Sequence, residues 1–304
     1  MTLEPVKDFD IKKDSVKDLV NGMKQSGGFT SKKLATGIEI LKDMFNEKDC
    51  LNFLSFPADI IATGTRGVIR DFVKNKMFSV VITTSGTLDH DIARSFKDYY
   101  HGSFDTDDNE LHKKGVNRLG NVFIPNESYG EIIEEKMLQW LKEIFVEKKE
   151  LATYELCWEL GKRLKEDSIL YWCWKNKIPV IVPGITDGAV GYQLWQFSQK
   201  EKIKIDVLKD EQLLSDLVWN AKKSGALIVG GGISKHHVIW WNQFKKGLDY
   251  AVYISTAVEY DGSLSGARPR EAVSWGKINE KAKFIAIEED ATVALPIIYA
   301  SLQI

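Results

Sequence analysis

The feature that most constrains the fold is a rhythm that begins at Cys50 and runs to the C-terminus. Short apolar runs rich in β-branched residues each end in glycine or small polar residues, and helix-like stretches follow them. LNFLSF precedes PADIIATGTRG, FSVVITTSG precedes TLDHDIARSF, and IPVIVPGITDG precedes AVGYQLWQF. GALIVGGG precedes ISKHHVIWWNQF, YAVYIST precedes a long irregular stretch, and KFIAIEED precedes ATVALPIIYASL. Near-continuous apolar strands are what a parallel sheet needs when helices cover both faces. The alternation predicts an α/β fold: a doubly wound parallel sheet with helices on both faces and an N-terminal helical extension. At 304 residues the chain fits one large α/β domain or two smaller ones.

Before the rhythm starts, Thr30 and Ser31 are expected to cap a helix whose apolar positions Leu34, Ile38, Leu41 and Phe45 fall at helical spacing. The segment before Ser15 has no clear period and is expected to be a mobile arm. Residues 1–48 are accordingly taken as a helical arm packing on a main domain, 49–304. Amphipathic stripes at Ile133, Met137, Trp140, Leu141 and Ile144, and at Leu213, Leu214, Leu217 and Val218, read as core packing. Gly225 is the expected glycine just beyond the second helix.

A formal net charge of −2 argues against bulk nucleic-acid binding, which needs a basic face. There is no run of about 18 apolar residues to span a membrane. The polar start, MTLEPVKDFDIKKD, lacks the apolar core of an export signal, so the cytoplasm is the expected compartment. Three scattered cysteines, Cys50, Cys157 and Cys173, make a poor disulfide framework and read as buried packing thiols. Five histidines show no HExxH pattern and no dense cluster, so no metal site is expected.

In doubly wound sheets ligands bind outside the carboxyl ends of the strands. Those ends carry Thr84-Ser85-Gly86, Thr186-Asp187-Gly188, Gly230-Gly231-Gly232, Ser255-Thr256 and Asp290. Small hydrogen-bonding residues before helices have the composition of a nucleotide site. No G-x-G-x-x-G follows the first strand, so a dehydrogenase-type site is not supported, and the glycine triplet alone reads equally well as a tight turn.

Two segments are more specific. Gly230-Gly-Gly-Ile-Ser-Lys-His-His237 puts Lys235, His236 and His237 at the opening of a helix, where an imidazole is held neutral and can act as a base. A helix-start pair that merely bonds the backbone is the structural alternative. Glu259 to Ile278 starts as a polar, glycine-rich loop and ends with Lys277 among Trp275, Gly276 and Ile278. Aromatic, apolar surroundings favour the free amine, a nucleophile for imine formation. Glu271 and Trp275 suit a cationic substrate through charge and cation–π contact. A snorkelling surface lysine is the alternative.

At these residues the sequence resembles the deoxyhypusine synthase family. The match is carried by GGGISKHH, DYAVYISTAVEYDGSLSGARPREAVSWGKI, EEDATVALP, NRLGNVFIPNESY, TDGAVG and TTSG, and runs from about Asp49 to the C-terminus. The resemblance implies a Rossmann-like domain that uses NAD to transfer the 4-aminobutyl group of spermidine to one lysine of translation initiation factor 5A. The fragment is held on the way as an imine on an enzyme lysine. It further implies a homotetramer with active sites between paired subunits and spermidine or a related polyamine as substrate; the charge and the lack of a long apolar run add the expectation of neither nucleic-acid nor membrane partners. The imine-forming lysine falls on Lys277 and the general base on His236. Amine contacts fall on Glu271, Trp275 and Gly262, with Trp240 and Tyr192 at further polyamine-holding positions. NAD contacts fall on Asp59, Thr63, Thr84, Ser85, Gly86, His90, Asp187, Gly230, Gly231, Gly232, Thr256, Ser265 and Asp290.

The chain departs from eukaryotic members of that family. They carry carboxylates where Tyr192 and Leu264 stand and an asparagine where Trp240 stands, and Asp59 and His90 replace an Asn and a Glu. Trp240 and Trp241 can exchange charge for cation–π contact. The TLDHD and TDGAVGYQLW segments resemble the archaeal branch. Three rival readings stand beside this one. A homospermidine-synthase-like enzyme would pass the aminobutyl group to putrescine or another small amine. A non-catalytic NAD-binding interaction protein would need no buried nucleophile. A sirtuin-like deacylase would need four zinc-binding cysteines, and three scattered ones do not supply them.

Overall fold

The computed structural model describes residues 5–9, 15–146 and 148–303. The expected mobile arm lies largely outside the described residues. The chain has the predicted α/β class, with mostly parallel strands alternating with helices, and it divides into two compact units, 1–55 with 217–304, and 56–216.

In the first unit four parallel strands lie side by side in the order Ile278–Ile287, Leu248–Ile254, Lys223–Val229, Cys50–Ser55. Every residue of Lys223–Val229 except the first is buried, as expected of a strand covered on both faces. Helix Phe29–Asn46 contributes Leu34, Ala35, Ile38, Ile40, Leu41 and Met44 to this core. Its cap differs from the expected one. Gly28 occupies the N-cap without a side-chain bond, while Thr30 donates to the Glu288 carbonyl and Ser31 to that of Gly28, so both hydroxyls serve packing rather than capping. Gly225 is likewise not a helix terminator. The helix Val207–Asn220 ends earlier, and Gly225 sits inside the strand because a Cβ there would lie 2.5 Å from Met44 Sδ.

In the second unit the parallel strands Val80–Ile82 and Val180–Ile181 are fully buried. Asp91, wholly buried, binds this unit together. Its carboxylate accepts from Arg66 Nε at 2.7 Å, Ser168 Oγ at 2.7 Å, and the amides of Ile169 and Leu170 that open helix Ile169–Asn176. A buried charge is tolerated only when paired and bonded in this way. Helix Gly130–Ile144 buries all five stripe positions expected of it. An antiparallel sheet, Tyr100–His101, Val122–Pro125 and Val116–Leu119, carries the NRLGNVFIP segment. Cys157 and Cys173 are buried as expected. Cys50 is only half-buried, because it opens its strand rather than lying within it.

Among the described residues no helix is long and apolar enough to cross a membrane, and no group of three or more potential metal ligands occurs.

Candidate active site

The first unit holds a cavity of about 340 Å³ whose walls include His236, Trp240, Leu264, Glu271, Trp275 and Lys277. Helix Gly232–Gln243 buries Ser234, Lys235, Val238, Ile239 and Asn242. Its opposite side leaves His236 and Trp240, four residues apart, free to stack at 5.7 Å with planes 24° apart. The facing wall is the short helix Pro269–Ser274, which carries Glu271 and is started by a proline in its first turn. Gly276, at φ +68°, turns the chain out of that helix. Lys277 follows, fixed by its own amide to Ala272 O at 2.9 Å and by its carbonyl to the Leu248 amide at 3.1 Å.

The half-buried Lys277 side chain therefore enters the cavity between two indoles. Nζ lies 5.1 Å from the Trp275 ring and 6.0 Å from that of Trp240. Loss of solvation, with the Lys277 charge as a second cause, holds His236 below the usual imidazole range, so its ring is a neutral proton acceptor near pH 7. The structure thus brings together five of the expected residues: Lys277, His236, Glu271, Trp275 and Trp240. Gly262 closes the turn Glu259–Asp261 at φ +74° in the loop leading to this wall.

Above the same parallel strands runs the glycine-rich edge. Val229, Ile254 and Ile287 are register partners, so Gly230, Ser255 and Glu288 leave the sheet side by side. The Gly230 amide donates to Ile254 O at 2.8 Å and the Ser255 amide to Ile287 O at 3.1 Å. Gly230 and Gly232 have φ of +65° and +64°, and a Cβ on Gly231 would lie 2.4 Å from the Ser265 amide nitrogen. Thr256 is exposed, and Asp290 caps helix Ala291–Leu302 by accepting from the Thr292 amide at 2.7 Å.

The second unit gathers its own set. Ser85 opens helix Ser85–Arg94 and donates to Ile185 O at 2.9 Å, while a Cβ on Gly188 would meet both Ser85 Oγ and Asp89 Oδ2 within 2.8 Å. The turns of Thr84–Gly86 and Asp187–Gly188 therefore meet. A Cβ on Gly86 would lie 2.9 Å from that of Ala58, which brings in the turn Asp59–Ala62. Thr63 donates to Ile60 O at 2.7 Å. His90 is buried beside Tyr99, Nδ1 to hydroxyl 2.9 Å, and burial, reinforced by the Arg94 charge, pushes it down to about 4. Tyr192 is exposed on helix Ala189–Ser198, packed on Trp195 at 5.6 Å.

Three residues were not singled out as site residues by the sequence. Lys235 is 1 % exposed, and burial pushes its amine down to about 8 against an opposing pull from Glu271. Its spacing from Val238, Ile239 and Asn242 is the buried stripe of its helix, a signal legible beforehand. Tyr253 borders the cavity with its hydroxyl buried and without a hydrogen-bond partner among the described residues. Asp89, fully buried, accepts from the amides of Ala189 and Val190, each at 2.8 Å, and from Tyr129 at 2.9 Å. Burial lifts its carboxyl above the usual range.

The first unit thus joins a parallel α/β scaffold and a glycine-rich edge to a cavity that brings a lysine and a histidine together. The profile of the deoxyhypusine synthase family matches residues 18–302. Proteins named "probable deoxyhypusine synthase" are 58% identical over 98% of this chain and 96% of the relative in Picrophilus torridus, and 55% identical over 97% and 96% in Thermoplasma acidophilum. A third, from Sulfolobus acidocaldarius, is 53% identical over 90% of this chain and 89% of its own. The crystal structure of a "putative deoxyhypusine synthase" from Entamoeba histolytica has the same fold, with a TM-score of 0.66 at 21% identity, covering 98% of this chain and 95% of that one. The chain belongs to the deoxyhypusine synthase family, as an archaeal-type member, and is an enzyme.

Proposed function

We propose that the chain uses NAD to transfer the 4-aminobutyl group of spermidine to one lysine of translation initiation factor 5A, with Lys277 holding the four-carbon fragment as an imine. The observation that carries this reading is the pairing, in one cavity, of a lysine amine flanked by two indoles with an imidazole kept neutral beside it. The Lys277 amine, once its ammonium proton has exchanged to solvent, adds to the imine carbon of dehydrogenated spermidine. The bond from that carbon to the other nitrogen breaks, and 1,3-diaminopropane leaves with the proton that Lys277 gave up, carried by His236. The acceptor lysine displaces Lys277 by the same exchange. Glu271 supplies charge, and Trp240 and Trp275 supply ring faces for the ammonium groups of the substrate; Gly262 and Tyr192 are assigned to the same amine.

NAD, when bound, supplies the acceptor and afterwards the donor of the hydride. The residues present fit it: Gly231 and Gly232 bring backbone without side chains to the start of a helix of 12 residues, which suits a pyrophosphate, and the exposed carboxylate of Asp290 suits a ribose hydroxyl. Gly230, Gly231, Gly232, Thr256, Ser265 and Asp290 are assigned to it in the first unit, and Asp59, Thr63, Thr84, Ser85, Gly86, His90 and Asp187 in the second. Residues 49–304 are taken as the NAD-binding catalytic domain and 1–48 as its arm. The protein is taken as a cytoplasmic homotetramer with active sites between paired subunits. The exposure of Trp275 at 67% and Tyr260 at 90% supports a partner covering this face.

The test is incubation with NAD, labelled spermidine, and either the factor or putrescine. Label on one lysine of the factor is expected; label only in small polyamines overturns the assigned acceptor.

A further inference from the structure

We infer that Lys235 is a positioning residue, whose ammonium latches the 262–267 loop onto the helix carrying His236 and so fixes the cavity wall that receives the amine substrate. The inference rests on the function proposed above. Lys235 lies on the buried stripe of its helix, among apolar side chains, yet its Nζ donates to two carbonyls of the loop, Leu264 O at 2.7 Å and Ala267 O at 2.8 Å. Its charge lies 4.2 Å from the centre of the Tyr253 ring. A buried ammonium is tolerated only when such partners satisfy it, and the same partners then lose their freedom to move.

The loop is fastened at two other points. Ser265 rests on Gly231, and Gly266 packs so tightly on Val258 that a Cβ there would lie 2.0 Å from its carbonyl oxygen. Lys235 thus ties the His236 helix to this loop at two points, Leu264, on the cavity wall, and Ala267, just before the Arg268–Glu271 wall. Both lysines border the cavity, but the Lys235 nitrogen is committed to two carbonyls and a ring face, which separates its role from that of Lys277, whose amine lies between two indoles.

The test is Lys235→Met, which keeps the length of the stem and removes every donor, with Lys235→Gln as a second variant that keeps a shorter one. At saturating NAD, Lys235→Met is expected to raise KM for spermidine about tenfold with kcat within about threefold, and to speed amide exchange in 262–267. Lys235→Gln is expected to fall between it and the wild type. Unchanged KM and unchanged exchange in a folded variant overturn the latch. A collapse of kcat at unchanged KM overturns it too, in favour of a chemical role, and failure of both variants to fold makes Lys235 a general structural residue. A wild-type protein that consumes no spermidine sinks the proposed function instead, and the exchange measurement then still judges the latch alone.

Discussion

Gly231→Ala isolates the contact between the glycine edge and the loop over it. Gly231 has a φ of −151°, outside the left-handed region, and the cost of a side chain is set by what it would meet. The added Cβ would lie 2.3 Å from Ser265 Oγ, 2.4 Å from its amide nitrogen and 2.5 Å from its Cα. The hydroxyl can rotate away, but the nitrogen and Cα are backbone, so the loop itself must retreat by about 1 Å to reach ordinary contact. Overpacking of this kind costs about 1–3 kcal/mol. If the displaced loop is restored on dinucleotide binding, that cost appears as roughly a 5- to 150-fold rise in the Kd for NAD. Gly232→Ala is the control: it has φ +64° and nothing within 4 Å, so it carries only left-handed backbone strain and leaves Ser265 where it is. Titration with NADH, followed by energy transfer from tryptophan, measures both variants, with melting temperatures alongside. A Gly231→Ala protein with the wild-type melting temperature and an NAD Kd within about twofold of wild type would refute the reasoning.

His236→Ala should lower the rate of spermidine oxidation by about 10²–10⁴-fold while NAD affinity changes little; loss of NAD binding as the main defect contradicts the base assignment. Buried His90, held at about 4 against the ordinary 6.5, makes the folded state prefer the neutral ring. Its contribution is full above pH 6.5 and is lost as pH falls through that window toward 4, worth about 3 kcal/mol in all. His90→Gln should flatten this acid limb in urea midpoints taken at near-neutral and acid pH, and parallel profiles for the two proteins would rule the assignment out.

The strands were legible because burial on both faces writes itself as continuous apolar runs, and the place of Gly230–Gly232, Thr256 and Asp290 beyond the strand ends was legible because they follow such runs. What escaped the sequence depends on distant partners. Asp89 binds amides 100 and 101 residues away, and Asp91 binds a hydroxyl 77 residues away, so neither has a local signature. Gly225 was misread because glycine closes helices more often than it makes room in a strand, and only Met44 and Tyr250 pressing on it decide the matter. The antiparallel strands at 100–125 are short and only Ile124 in them is buried, so no long apolar run announces them. The two indoles around Lys277 were half visible: Trp275 is a near neighbour in sequence, whereas Trp240 arrives from another helix.

The central claim is that Lys277 carries the four-carbon fragment. Borohydride reduction of the protein with NAD and spermidine, followed by peptide mass analysis, tests it most directly. The account predicts an aminobutyl adduct on the peptide containing Lys277 and its disappearance in Lys277→Arg; an equal yield in the Arg variant, or an adduct on another lysine, contradicts it.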